Sequence, residues 1–145
     1  MIGSPRASAP GLAVGIDEQL IGQLVDEFYA AVRNDDILGP VFEARIQDWD
    51  EHLEKLRGFW SSVVLMTGRY KGQPMPVHAA IEEISDTHFM RWLELFAETA
   101  KRICPPDAAA LFIDRSRRIA QSLKLGIALS RGDDSVLMVG HRTDA

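Results

Sequence analysis

The 145 residues contain one cysteine, Cys104, which leaves no intramolecular disulfide and no cysteine-cluster metal site. Reducing cytoplasm is the natural compartment for such a chain. Nowhere does an uncharged apolar run approach the roughly 18 residues that a membrane span needs. The formal net charge is −5, so the basic footprint of a nucleic-acid or anionic-membrane binder is missing. Strand-like alternation is nearly absent, as are repeats, low-complexity blocks and interdomain linkers. The four histidines, His52, His78, His88 and His141, form no His-x-x-x-His and no Glu-x-x-His pair.

What remains is ordinary globular material, 46% hydrophobic and 26% charged, of a length suited to one domain. Residues 1–16 carry Ser, Pro and Gly without a signal-type apolar run and read as a disordered lead-in. A single domain is expected over 17–130, with a flexible tail over 131–145. Proline and glycine divide the domain into helices. Asp17 is placed to cap a helix to about Asn34, with Ile21, Leu24, Val25, Phe28 and Val32 on its buried face. Leu38-Gly39-Pro40 redirects the chain, and an apolar turn follows at Val41 and Phe42.

Asp48 with Glu51 resembles a capping box opening a second long helix, with Leu53, Leu56, Phe59, Trp60, Val63 and Val64. His52 shares a side with Leu56 and Phe59, four and seven residues on. Thr67 to Pro76 holds two glycines and two prolines, which forbid a continuous helix. A short helix around Val77 would contain His78 and Ile81. Ser85-Asp86 caps another, with Phe89, Trp92, Leu93, Phe96, Ala100 and Ile103 in helical period. Pro105 and Pro106 close it and begin a last helix bearing Leu111, Phe112, Ile119, Leu123 and Ile127. The expected fold class is all-α.

Few residues offer chemistry. His141 sits in the tail, and His88 is expected to face solvent at a helix start. His52 and His78 lie on segments with apolar sides joined by the Pro/Gly loop. If the segments pack across a slot, both imidazoles could enter it from opposite walls, as a planar iron cofactor requires. Buried Tyr29 and Trp92 would seek partners for O–H and N–H. Trp49 and Trp60 read as core packing.

Four stretches in order carry a family resemblance. These are Phe28-Tyr29 with Leu38-Gly39-Pro40-Val41-Phe42; Trp49-Asp50-Glu51-His52 with Gly58-Phe59-Trp60; Tyr70-Lys71-Gly72-Gln73-Pro74 with His78; and Phe89-Met90-Arg91-Trp92-Leu93-Glu94-Leu95-Phe96. From about residue 17 to 130 the chain resembles truncated haemoglobins of the third group, and like them it lacks a Gly-Gly motif. The resemblance implies a two-over-two helical sandwich around haem b (iron protoporphyrin IX), with His78 as the proximal iron ligand. It further implies Tyr29, His52 and Trp92 as distal catalytic residues and Phe42, Leu56 and Phe59 as the walls of the slot. Arg57, Arg69, Tyr70 and Lys71 are candidate partners of the haem propionates by charge and loop position. Ala79-Ala80-Ile81-Glu82-Glu83 departs from members that carry prolines after the proximal histidine.

The implied function is binding of O2, NO, CO or peroxide at a five-coordinate iron. Hydrogen bonds from Tyr29 and Trp92 would slow O2 release, which suits NO dioxygenation or peroxide chemistry, served by a reductase, better than transport. Two alternatives stand beside it: a haem-based sensing or ligand-binding module without turnover, and a haem-free helical interaction protein.

Overall fold

The computed structural model describes residues 4–70 and 85–130, all of them helix, turn or loop and none strand. The expected short helix with His78 and the tail from 131 onward lie outside the described residues. Among the described residues there are six helices: α1 (Pro10–Ala13), α2 (Glu18–Asn34), α3 (Gly39–Arg45), α4 (Trp49–Leu65), α5 (Asp86–Ile103) and α6 (Pro106–Ser130). Helix α2 packs on α4, α5 packs on α6, and α2 crosses α5. This is the all-α, two-over-two arrangement. No helix among the described residues is long and apolar enough to cross a membrane.

The starts of the helices follow from local chemistry. The Asp17 carboxylate accepts from the Leu20 N–H at 2.8 Å, and that of Asp48 accepts from the Glu51 N–H at 3.1 Å. Each satisfies a backbone donor that the first turn leaves unpaired. At α5, His88 Nδ1 accepts from the Ser85 N–H at 3.1 Å. His88 therefore closes a capping box instead of simply facing water. Helix α4 stops where Met66 adopts a left-handed conformation, φ 56°, which its side chain disfavours.

Two segments differ from the sequence expectation. Val41 and Phe42 lie in α3 rather than in a turn. The Asp35 carboxylate accepts from Ile37 and Leu38 N–H at 3.1 and 3.0 Å, and Pro40 then occupies the first helical turn, where no N–H is needed. The lead-in, expected to be disordered, is tied down over residues 4–16. Arg6 N–H donates to the Leu65 carbonyl at 3.2 Å, and Ile16 is buried. Gly11 of α1 lies so close to α4 that an added Cβ would sit 2.6 Å from the Val64 carbonyl oxygen. Tertiary contacts with α4 thus override the local Ser/Pro/Gly signal.

The core is aromatic. Trp92, Phe96 and Trp60 form a stack, Trp92 to Phe96 at 5.4 Å and Phe96 to Trp60 at 5.1 Å, while Phe28 meets Phe96 edge-on at 5.0 Å. Full burial of Phe28, Trp60, Phe96 and Phe112 contributes on the order of 1.5–3 kcal/mol each. The stack also fixes where Trp92 sits.

Candidate functional site

Tyr29 is the centre of the site. Neighbouring buried positions on α2 turn both Phe28 and Tyr29 inward, their rings 4.7 Å apart. Around the phenol stand Phe42 from α3 at 6.0 Å, Trp49 at 6.4 Å and His52 at 5.9 Å from α4. The Trp92 indole of α5 stands edge-on to Phe28 at 5.2 Å, next to the phenol. Burial pushes the Tyr29 hydroxyl up to about 12, only partly opposed by that indole. The group is therefore a neutral phenol throughout the physiological range.

Along α4, His52, Leu56 and Phe59 are half-buried. Phe59 meets the ring of Tyr70 edge-on at 5.2 Å. With Phe42, Leu53, Val63 and Trp92 these side chains border the core without being closed over. The result is a half-open apolar wall whose polar groups, among the described residues, are the Tyr29 hydroxyl, the Trp92 and Trp49 indoles and the His52 ring. Trp49 Nε1 is buried and has no hydrogen-bond partner among the described residues. A flat, largely apolar macrocycle carrying a ligand that accepts hydrogen bonds fits such a wall. The side chains present are compatible with haem.

The expected residues thus divide. Tyr29, His52, Trp92 and Phe42 converge, and Leu56 and Phe59 extend the same wall. Tyr70 touches its far end. Arg57 and Arg69, expected as propionate candidates, are committed elsewhere. Arg57 pairs with Asp26 and Glu54, and Arg69 reaches Glu18 at 2.7 Å and Glu54 at 3.4 Å. The reason is helical phase: Arg57 lies a third of a turn or more from the His52–Leu56–Phe59 side and faces α2. His78 and Lys71 lie outside the described residues. No group of three or more His, Cys, Asp or Glu side chains suited to a metal ion occurs among the described residues.

Sequence reasoning missed Trp49, read as plain core, and the corner that supports it. Its ring stands edge-on to His52 at 5.7 Å, and the Arg33 guanidinium lies 4.4 Å from its centroid. The three-residue offset from Trp49 to His52 was the available signal, since it sets both on one helix side. A second missed feature is Asp35, whose carboxylate receives Arg91 Nε at 2.7 Å. Burial alone would raise Asp35, but the Leu38 N–H, Arg91 and the Ile37 N–H together hold it below the usual carboxylate range. That pair ties the turn before Trp92 to the corner between α2 and α3.

The chain matches no family model. It is, however, 32% identical over 109 residues to the group 3 truncated hemoglobin ctb of Campylobacter jejuni, covering 72% of this chain and 86% of that protein. The crystal structure of the group III truncated hemoglobin from Campylobacter jejuni superposes with a TM-score of 0.73 at 31% identity, covering 77% of this chain and 91% of that one. The group II truncated hemoglobin from Bacillus anthracis gives 0.65 at 25% identity, over 81% and 92% of the two chains. With this likeness spread over most of both sequences, and with the six helices in the same arrangement, the chain belongs to the group III truncated haemoglobins.

Proposed function

We propose that the chain binds haem b through His78 and uses it to hold O2 and related diatomic ligands for NO dioxygenation or peroxide chemistry. The observation that carries this reading is the convergence of the buried Tyr29 phenol with Phe42 and His52, and of Trp92 across Phe28, on one largely apolar wall. When bound, haem supplies an iron with one open coordination position and the redox change that such ligands require.

The chain's own residues do the rest. Tyr29 donates its hydroxyl proton to the ligand atom on which negative charge gathers. Trp92, packed edge-on to Phe28 beside the phenol, offers its indole N–H as a second donor. A hydrogen bond to a charged acceptor contributes about 1.5–3 kcal/mol, which slows release by roughly tenfold to a hundredfold. Slow release suits a bound ligand that waits for a second reactant. His52, on the same wall, is a proton carrier within reach of Tyr29's ring. Phe42, Leu56 and Phe59 exclude water from the slot, so these interactions act in a low dielectric. Arg57, Arg69, Tyr70 and Lys71 are the propionate candidates, the two arginines after release from their surface carboxylates. Electrons come from a separate reductase, and the absence of a cysteine pair fits a reducing, cytoplasmic setting.

The test is purification of the full chain loaded with haem. A Soret band that disappears in His78→Ala identifies the ligand. Consumption of NO or peroxide over many equivalents, with a reductase present, supports turnover. Reaction of a single equivalent favours the sensing or ligand-binding reading, and failure to take up haem leaves the helical interaction protein.

A further inference from the structure

Three elements meet at the edge of the Tyr29 site in a way that the binding of a ligand does not itself require. Arg33, near the end of α2, places its guanidinium 4.4 Å from the Trp49 ring centroid, while its Nε holds Glu43 of α3 at 2.8 Å. Trp49, in the first turn of α4, turns its indole to His52 with planes at 89°. His52 also meets Tyr29 at 87°, and the Trp49 and Tyr29 rings stand side by side, 6.4 Å apart. The imidazole therefore lies against two rings at right angles to it, one of them backed by a cation. Trp49 Nε1 has no acceptor among the described residues, and it is the indole ring itself that makes these contacts.

We propose that Trp49, clamped by Arg33, is a positioning residue that holds the His52 ring on the Tyr29 side and so controls entry of diatomic ligands. Aromatic edge-to-face pairs and a guanidinium over an indole are each favourable by small amounts, enough to bias a side chain between two rotamers by about threefold to tenfold. A tryptophan gives the cation a stronger partner than phenylalanine does. The Arg33–Glu43 pair is half-exposed, and its role is to fix the guanidinium over the indole, since such pairs add little stability alone. The inference rests on the haem-binding reading.

The experiment follows CO binding to the haem-loaded full chain by flash photolysis, with the C–O stretch recorded by infrared spectroscopy. Trp49→Leu is expected to raise the association rate about threefold to tenfold and to split the stretch into two bands. Trp49→Phe, which keeps an aromatic face, stays near the parent. Arg33→Gln moves both readouts in the direction of Trp49→Leu by a smaller factor, and its exposed position keeps the test alive if Trp49→Leu does not fold. In a His52→Leu background, Trp49→Leu has no further effect. Additive effects, an unchanged Trp49→Leu or a Trp49→Phe as altered as Trp49→Leu would each overturn the positioning role. A chain without a Soret band fails the haem reading itself, and a His52→Leu variant identical to the parent removes His52 from the pocket, so the levels of failure are distinguishable.

Discussion

Tyr29 and His52 stand with their rings perpendicular, 87° between planes and 5.9 Å between centroids, one from α2 and the other from α4. Phe28 and Phe42 also meet the phenol ring, at 4.7 and 6.0 Å. Replacement of the phenol hydroxyl alone is therefore the cleanest probe. Tyr29→Phe in the haem-loaded protein is expected to speed O2 dissociation by roughly tenfold to a hundredfold. Stopped-flow displacement of O2 by CO measures it. An unchanged rate would mean that the hydroxyl points away from the ligand.

The raised Tyr29 hydroxyl has a signature in alkali. Its folded value of about 12 lies above the ordinary 10, so the folded state keeps a proton that the unfolded state gives up. Its contribution to stability is intact below about pH 10 and is lost as the pH rises through about 12. Denaturant midpoints measured upward from pH 9 should fall over that window. Trp92→Phe, by removing the donor that favours the phenolate, moves the Tyr29 absorbance titration to still higher pH.

Asp35 gives the opposite case. Its carboxylate is held low, so it adds stability above the unfolded carboxylate value, near 4, and loses that contribution as the pH falls through its folded value. Asp35→Ala removes a cap for two backbone donors and a partner for Arg91. The expected cost is about 2 kcal/mol in a urea titration at neutral pH, and the difference from the parent should narrow in acid. A variant as stable as the parent would place the rigidity of this corner elsewhere.

Gly11→Ala tests the lead-in. An added Cβ would lie 2.6 Å from the Val64 carbonyl oxygen, which belongs to helix backbone and yields little. Destabilisation of about 1–3 kcal/mol is expected. Gly15, whose φ is 76° with open space around it, provides a contrast: there alanine suffers from the backbone conformation and not from a collision.

How far these features could be read in advance depended on how local their causes are. The caps at Asp17 and Asp48 and the stripe from Ile21 to Val32 require only neighbours in sequence, so the pattern revealed them. Tyr29 and Trp92 were legible as aromatics on inward faces, but which rings each would meet depends on how α2 packs on α5. Trp49 looked like any core aromatic because its partners come from α2 as well as α4. Arg57 and Arg69 looked free because charge in a sequence does not disclose which carboxylate the fold brings near. The burial of Ile16 and the approach of Gly11 were likewise invisible, since both depend on a surface of α4 some fifty residues further along.

That last contact reaches beyond stability. Arg6 donates to the Leu65 carbonyl where α4 has run out of partners, just before Met66 takes its left-handed turn. The opening residues thus brace the far end of the rod whose near end presents His52. Deleting residues 1–15 would let that rod fray from behind. We expect faster amide exchange at Val63 to Leu65, while the capped end at Asp48 stays protected.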